Sequence, residues 1–172
     1  MPIKSMSLLR EDENEFHPLV YVLAPVGAIL LQVYVPHVFV HFAYVDVTLL
    51  MVIYFAIMLR SPIRGTLAGM VIGLAQDALS GQAIGVNGMA KATVAYAAAS
   101  IGARIDVENS LTRLLLTAVF TLGNEVLVYV IQRHLMGLQL QWMWMHELAR
   151  VMTNAVLGVA LFWMMDRLRR RG

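Results

Sequence analysis

The chain has 172 residues, of which 59% are hydrophobic and only 14% charged, with a formal net charge of +2. Its mean hydropathy is +0.69, which argues against a soluble domain, because a soluble domain of this size needs more charge to cover its surface. The absence of cysteine excludes disulfide bonds and thiolate chemistry. The composition therefore predicts a membrane protein.

The N-terminal segment carries acidic side chains just before the first apolar run. They are Glu11, Asp12, Glu13 and Glu15. A signal peptide carries positive charge where these acidic residues stand, and a small-residue cleavage site follows its apolar run, which is not the case here. We expect residues 1–17 to form a short cytoplasmic tail, residues 18–168 to form one membrane domain, and residues 169–172 to form a basic cytoplasmic tail.

Six apolar segments follow in chain order. They run from Leu19 to Val35, Val45 to Leu59, Ile63 to Leu79, Asn87 to Ala103, Leu111 to Gln132 and Glu147 to Leu168. A bilayer core about 30 Å thick requires about 20 mostly apolar residues in a helix, and these segments meet or approach that length. Pro25 should kink the first segment, which neighbouring helices can tolerate in a membrane. The pattern predicts an all-α integral membrane protein with six transmembrane helices.

Arginine and lysine residues are distributed unevenly over the predicted connections. If the N-terminus is cytoplasmic, ten of them lie on the cytoplasmic side and Arg133 lies on the other. The ten are Lys4, Arg10, Arg60, Arg64, Arg104, Arg113, Arg167, Arg169, Arg170 and Arg171. Because cytoplasmic loops carry the excess of positive charge, both termini are predicted to be cytoplasmic. Trp142 and Trp144 fit an aromatic belt at the outer interface.

Polar side chains also occur inside the predicted spans. They are Asp77, Lys91, Asn124, Glu125, Arg150 and Asn154. On this topology the two acids and two bases lie near the outer ends of the helices. An isolated charge in the bilayer costs about 2.5 to 3.5 kcal/mol, so we expect these residues to face the bundle interior and to pair.

A short hairpin, SGQAIGVNG, joins the helices of Asp77 and Lys91. The two helices are therefore antiparallel neighbours, and we predict an ion pair between these two side chains. Such a pair could serve only to fix the register of the helices. It could also belong to a polar pocket that opens to the periplasm, or to a contact for a partner's helix.

Glycine recurs at four-residue intervals through the third segment and its hairpin, except at Asp77. The positions are Gly65, Gly69, Gly73, Gly81 and Gly85. On a helix of 3.6 residues per turn, this spacing forms a slowly winding stripe. A stripe without side chains allows another helix to approach closely. That helix belongs either to the same chain or to a partner protein.

Catalytic and metal-binding patterns are incomplete. His146 and Glu147 begin like the zinc motif HExxH, but Arg150 stands where the second histidine is needed. His37 and His41 have no third ligand nearby. An intramembrane aspartic protease needs two carboxylates that share a proton, and Asp77 has no counterpart at its depth. No serine stands out as a nucleophile, and the basic C-terminus lacks the interleaved aromatic residues typical of nucleic-acid sites. We expect no catalytic residue, metal, cofactor or nucleic acid.

The run from Gly69 to Asn87 reads GMVIGLAQDALSGQAIGVN, and Lys91 follows it one turn later. Together with the length and the six-span layout, this run resembles the MreD family of bacterial rod shape-determining membrane proteins. The resemblance implies a non-enzymatic component of the elongation machinery in the inner membrane, which inserts peptidoglycan along the side wall. It implies MreC as the direct partner. Through the complex it implies the class B penicillin-binding transpeptidase, RodA and MreB.

The fold of that family is similar to the substrate-binding subunits of energy-coupling-factor vitamin transporters. The alternative function is therefore that of a membrane subunit that binds a small molecule for transport. Ala24 and Ala28, spaced as small residues on the first helix, are compatible with either function. The short outer loops favour the scaffold, because a vitamin pocket needs lids and converging polar or aromatic groups.

Overall fold

The computed structural model describes residues 19–35, 44–105, 107 and 109–169. Within these residues the chain forms six α-helices and no β-strand. The helices are α1 (Val20–Tyr34), α2 (Val47–Leu59), α3 (Pro62–Ser80), α4 (Val86–Gly102), α5 (Ser110–Val130) and α6 (Trp144–Arg169). A π-helical turn, Ile131–Leu135, extends α5. The prediction of an all-α chain with six helices is confirmed.

Some predictions fall on residues that the structure does not describe. The N-terminal tail of residues 1–17 lies outside the described ranges, and so do His37 and His41. The same holds for the C-terminal tail beyond Arg169. These predictions stay as they were made.

Local sequence signals set the helix ends. The Asp46 carboxylate accepts a hydrogen bond of 2.8 Å from the backbone N of Leu49 and caps α2, as an aspartate at the N-cap commonly does. Pro62 opens α3, where its missing N–H has no consequence. Gly81 and Gly85 adopt φ angles of +66° and +107°, in the left-handed region that a residue without a Cβ enters freely. These two glycines form the turn between α3 and α4.

Helix α2 is the centre of the bundle. Ten of its thirteen residues are buried, and it contacts each of the other five helices. Its sequence, VTLLMVIYFAIML, has no charged residue, and a helix that is apolar all round is typically buried on all sides. Tyr54 packs edge-to-face on Phe162 of α6, with ring centroids 5.1 Å apart.

Helices α3 and α4 pack with their backbones in contact. A Cβ added to Gly69 would lie 2.8 Å from the Cβ of Ala95, and one added to Gly73 would lie 2.8 Å from the Cα of Gly88. Real Cβ atoms do not approach so closely. Gly65 faces the same helix. The three helical glycines of the stripe are therefore covered by α4 of the same chain, which leaves no room there for a partner's helix.

The outer surface of the bundle is strongly apolar. Large hydrophobic side chains are exposed on every helix except α2, for example Leu23, Val71, Val119 and Met152. By length and composition, two helical stretches in the described part of the chain could cross a membrane, Ser110–Leu135 and Trp144–Leu168. Two shorter apolar helices accompany them, Val22–Tyr34 and Val47–Leu59.

Candidate functional site

A polar pocket lies at one end of the bundle. The last turns of α1, α3 and α5 meet the first turns of α2, α4 and α6 there, around a cavity of about 270 Å³. Its charged lining residues are Asp46, Glu125 and Arg150, and its apolar ones are Val45 and Val128. Six carboxamides complete the wall, namely Gln32, Gln76, Gln82, Asn87, Asn124 and Gln132. Elements from all six helices thus enclose what we call the polar pocket.

Asp77 is fully buried behind this pocket and caps the neighbouring helix α4. Its carboxylate accepts hydrogen bonds from the backbone N atoms of Gly85 at 2.9 Å, Asn87 at 3.1 Å and Gly88 at 3.3 Å. It also accepts one of 2.8 Å from the Asn87 side chain. The first N–H groups of a helix have no partner within the helix, and the helix N-terminus favours an anion. Asp77 supplies both the acceptor and the charge.

Lys91 is also fully buried, but its partner is not Asp77. Its ammonium lies 2.7 Å from the Asp46 carboxylate. The predicted direct pair between Asp77 and Lys91 is therefore wrong, because the N-terminus of α4 already holds the Asp77 carboxylate and the lysine reaches across to the start of α2. Asn87 connects the two, since its Oδ1 accepts from Lys91 at 3.5 Å while its Nδ2 donates to Asp77.

Asp46 was missed by sequence reasoning, although both of its oxygens are used. Oδ1 caps α2 and Oδ2 pairs with Lys91. Its backbone N donates to Asn154 Oδ1 at 2.9 Å. An aspartate directly before an apolar run is a recognisable N-cap signal, so the sequence could have placed Asp46 at the helix start. It could not have named the lysine that Asp46 binds.

Glu125 and Arg150 form the second ion pair of the pocket and join α5 to α6. The guanidinium lies 2.5 Å from the Glu125 carboxylate and 3.9 Å from that of Glu147. Asn154 supports this arrangement, since its Nδ2 donates to the carbonyl O atoms of Arg150 and Tyr44. Two ion pairs therefore lie at this end of the bundle, Lys91 with Asp46 and Arg150 with Glu125. Asp77, the other acid predicted to pair, bonds the N-terminus of α4 instead.

The predicted site residues therefore divide into two layers. Asn124, Glu125 and Arg150 line the pocket itself. Asp77 and Lys91 stand behind the wall and hold its lining in place, Asp77 through Asn87 and Lys91 through Asp46.

A second ionic cluster lies at the opposite end of the bundle. Arg113 at the start of α5 lies 2.7 Å from Asp166 near the end of α6. The Tyr54 hydroxyl donates to the same carboxylate at 2.9 Å, and Arg113 Nε donates to the carbonyl O of Val107 at 2.6 Å. Sequence reasoning treated Arg113 as a topological charge and missed this cluster, because nothing along the chain relates it to Asp166.

The remaining titratable side chains that the structure describes near the pocket do not form a metal site. Among the described residues, no group of three or more His, Asp or Glu side chains is arranged to hold a metal ion. The ring of His146 stacks on Tyr44, with centroids 6.1 Å apart. Glu147 faces Arg150, so this part of the chain serves packing and ion pairing.

A protein-family model described as "rod shape-determining protein MreD" matches residues 16–171, nearly the whole chain. The chain belongs to the MreD family. The resemblance seen in the run from Gly69 to Asn87 is thereby confirmed. No curated protein and no solved structure matches the chain. In this MreD-family chain, the run that carries the resemblance also builds one wall of the polar pocket, through Gln76, Gln82 and Asn87.

Proposed function

We propose that the chain is a non-enzymatic membrane scaffold of the bacterial cell-elongation complex. In this role it binds MreC and supports side-wall peptidoglycan synthesis and rod shape. The class B penicillin-binding transpeptidase, RodA and MreB associate with it through the complex. The observation that carries the proposal is the family match over residues 16–171.

The proposal includes six membrane crossings in the inner membrane, with both termini cytoplasmic. The membrane domain is residues 18–168, flanked by the tails of residues 1–17 and 169–172. Exposed apolar side chains around the bundle support it, because large contiguous apolar surface is uncommon on soluble monomers. The uneven distribution of arginine and lysine also supports this topology. In this orientation the polar pocket faces the periplasm.

A scaffold fits the pocket better than an enzyme does. Asp46 is held by Lys91, and Glu125 by Arg150. A nucleophile or proton carrier needs a free lone pair or a transferable proton within reach of substrate. These charged groups are engaged with each other, and they join α2 to α4 and α5 to α6. Their arrangement therefore favours a role in holding the helices together over a role in catalysis.

The surface that meets MreC has to be one that the bundle leaves open. The glycine stripe is covered by α4, so the close approach expected there is made within the chain. Exposed apolar faces remain on α1, α5 and α6. A single-span partner can pack on such a face without displacing any helix.

Copurification tests the proposed function against its alternative. With a tagged full chain extracted from bacterial membranes, we expect MreC in the purified fraction and restored rod shape in cells depleted of the native MreD. The small-molecule transport subunit is favoured by one observation, the existence of a polar pocket of about 270 Å³. A vitamin found in the purified protein by mass spectrometry, with no MreC, would replace the scaffold by that alternative.

Reporter fusions test the topology separately. Fusions at Met1 and at Gly172 should both report a cytoplasmic location, and a tag inserted at Gln82 should be labelled from outside. A periplasmic C-terminus would contradict six crossings, and it would also remove the polar pocket from the periplasmic side.

A further inference from the structure

Two side chains of the polar pocket have hydrogen-bonding capacity that the described residues do not use. Gln76 Oε1 and Asn124 Oδ1 have no hydrogen-bond partner there, although the two residues are only 8% and 2% exposed. Leaving a buried acceptor unpaired is unfavourable, because the hydrogen bonds that it made with water are lost and not replaced. In native proteins nearly all buried polar groups have a hydrogen-bond partner, so each exception calls for an explanation. Both residues line the same cavity.

The rest of the wall carries no unpaired charge. Asp46 and Glu125 are each matched by a cation, and the Gln32 carbonyl accepts from the backbone N of Val47 at 2.9 Å. A charged ligand would enter a pocket that has no free counter-charge for it. The electrostatics therefore favour a neutral ligand, and they disfavour a metal cation, because Lys91 and Arg150 already occupy the two carboxylates that could bind it.

The side chains of the pocket wall restrict the class of ligand further. Six carboxamides surround the cavity, and a carboxamide carries both a carbonyl acceptor and two N–H donors. Asn87 and the Gln32 carbonyl are bonded within the chain, whereas the side-chain oxygens of Gln76 and Asn124 are unpaired. Such a wall complements a compact molecule that carries hydroxyl or amide groups on several sides. A bound peptide is usually recognised through an exposed strand edge or an apolar groove for its side chains. Apart from Val45 and Val128, this wall provides neither.

We propose that the polar pocket binds a neutral sugar, either free or as the headgroup of a glycolipid, through hydrogen bonds to Gln76 and Asn124. The proposal goes beyond the scaffold function and does not depend on it. A sugar hydroxyl would supply the donor that each carboxamide oxygen lacks. The neighbouring carboxamides would bind the other hydroxyl groups.

The test uses the purified full chain in nanodiscs of phosphatidylethanolamine and phosphatidylglycerol, because maltoside detergents carry sugars themselves. Glucose and N-acetylglucosamine are titrated while thermal unfolding and calorimetric binding are measured. We expect at least one of them to bind saturably and to raise the unfolding temperature. Native mass spectrometry of protein extracted without sugar-based detergent tests for a bound glycolipid. Free-sugar binding identifies the first source, and a glycolipid adduct identifies the second.

Two variants of similar volume separate a binding role from a structural one. Gln76→Met and Asn124→Leu each remove an unpaired acceptor, so the unliganded protein should be at least as stable as the wild type. Sugar affinity should nevertheless fall about fivefold to tenfold, the effect of losing one hydrogen bond of about 1 kcal/mol or slightly more. Thr121→Val is the matched control, because its buried hydroxyl is also unpaired but lies outside the pocket lining. It should leave sugar affinity unchanged.

Three results would overturn the proposal. The first is no saturable binding of either sugar together with no glycolipid adduct. The second is binding that Gln76→Met and Asn124→Leu leave as strong as in the wild type. The third is a loss of sugar affinity in Thr121→Val as large as in Gln76→Met and Asn124→Leu, which would show that the loss does not come from the pocket lining. Each of these results is distinct from failure of the scaffold function, which removes MreC capture from the wild type itself.

Discussion

Lys91→Met removes a cation that is completely buried and bonded to Asp46. The Asp46 carboxylate would then face the polar pocket without a counter-charge, although its hydrogen bond to Leu49 would remain. Breaking a buried ion pair costs about 3 to 5 kcal/mol in soluble proteins. Because the Asp46 side chain is 14% exposed, we expect the lower end of that range. Asp46→Asn keeps the helix cap but leaves the Lys91 charge buried, so we expect the upper end.

The double variant Lys91→Met with Asp46→Asn removes both charges and should recover most of the lost stability. The coupling free energy between contacting residues is typically about 0.5 to 3 kcal/mol. Thermal unfolding in one fixed detergent measures it, since 1 kcal/mol shifts the unfolding temperature by roughly 2 to 4 °C in a chain of this length. The loss from Lys91→Met alone is then readily resolved.

Two control double-mutant cycles test whether the coupling is specific to Lys91 and Asp46. Lys91→Met combined with Asp166→Asn, at the opposite end of the bundle, should be additive within about 0.3 to 0.5 kcal/mol. Lys91→Met combined with Asp77→Asn should show weaker coupling than the Asp46 cycle, because Asn87 stands between the two residues. Additive effects in the Asp46 cycle, with strong coupling to Asp77 instead, would refute the partner assignment made from the structure.

Gly73→Ala should destabilise the protein by about 1 to 3 kcal/mol in thermal unfolding, because the added methyl meets the backbone of α4. Gly123→Ala, which adds a methyl in open space within α5, should instead stabilise it by up to about 1 kcal/mol; equal effects would contradict the packing. Asp77→Ala should cost about 3 kcal/mol or more by leaving buried N–H groups unpaired, and faster hydrogen exchange at the start of α4 should report it. Arg150→Met should lower the unfolding temperature by leaving Glu125 unpaired. Adding Glu125→Gln to the same chain should restore much of it, and an unchanged unfolding temperature in Arg150→Met would show that the pair does not stabilise the fold.

The helices and their order were predictable because each is marked by a long apolar segment, and a segment of that kind has few structures open to it other than a buried or membrane-spanning helix. The partner of Lys91 was not predictable. Asp77 and Lys91 are at matching depth on antiparallel helices, as the short hairpin requires, but depth does not fix the direction in which a side chain points. Asp46 lies far from Lys91 along the chain, and only the packing of α2 against α4 brings them together.

The glycine stripe was also predictable only in part. Four-residue spacing predicted a close helix approach, and the structure shows α4 of the same chain at that face. Spacing alone also grouped Gly81 and Gly85 with the stripe, although the helix ends before the first of them. Their left-handed φ angles show that the turn requires them. Four-residue spacing cannot distinguish a glycine that allows close helix packing from a glycine that forms a turn, because the spacing argument applies only while the helix continues.

Helix α2 is half as long as α6, with 13 residues against 26. At about 1.5 Å per residue, it spans roughly 20 Å while α6 spans roughly 39 Å. The central helix of the bundle is therefore much shorter than α6, and Val45 and Asp46, which directly precede it, line the polar pocket. A longer α2 that began earlier in the chain would place helical backbone at the pocket, so the short central helix matters to the cavity as well as the side chains that line it.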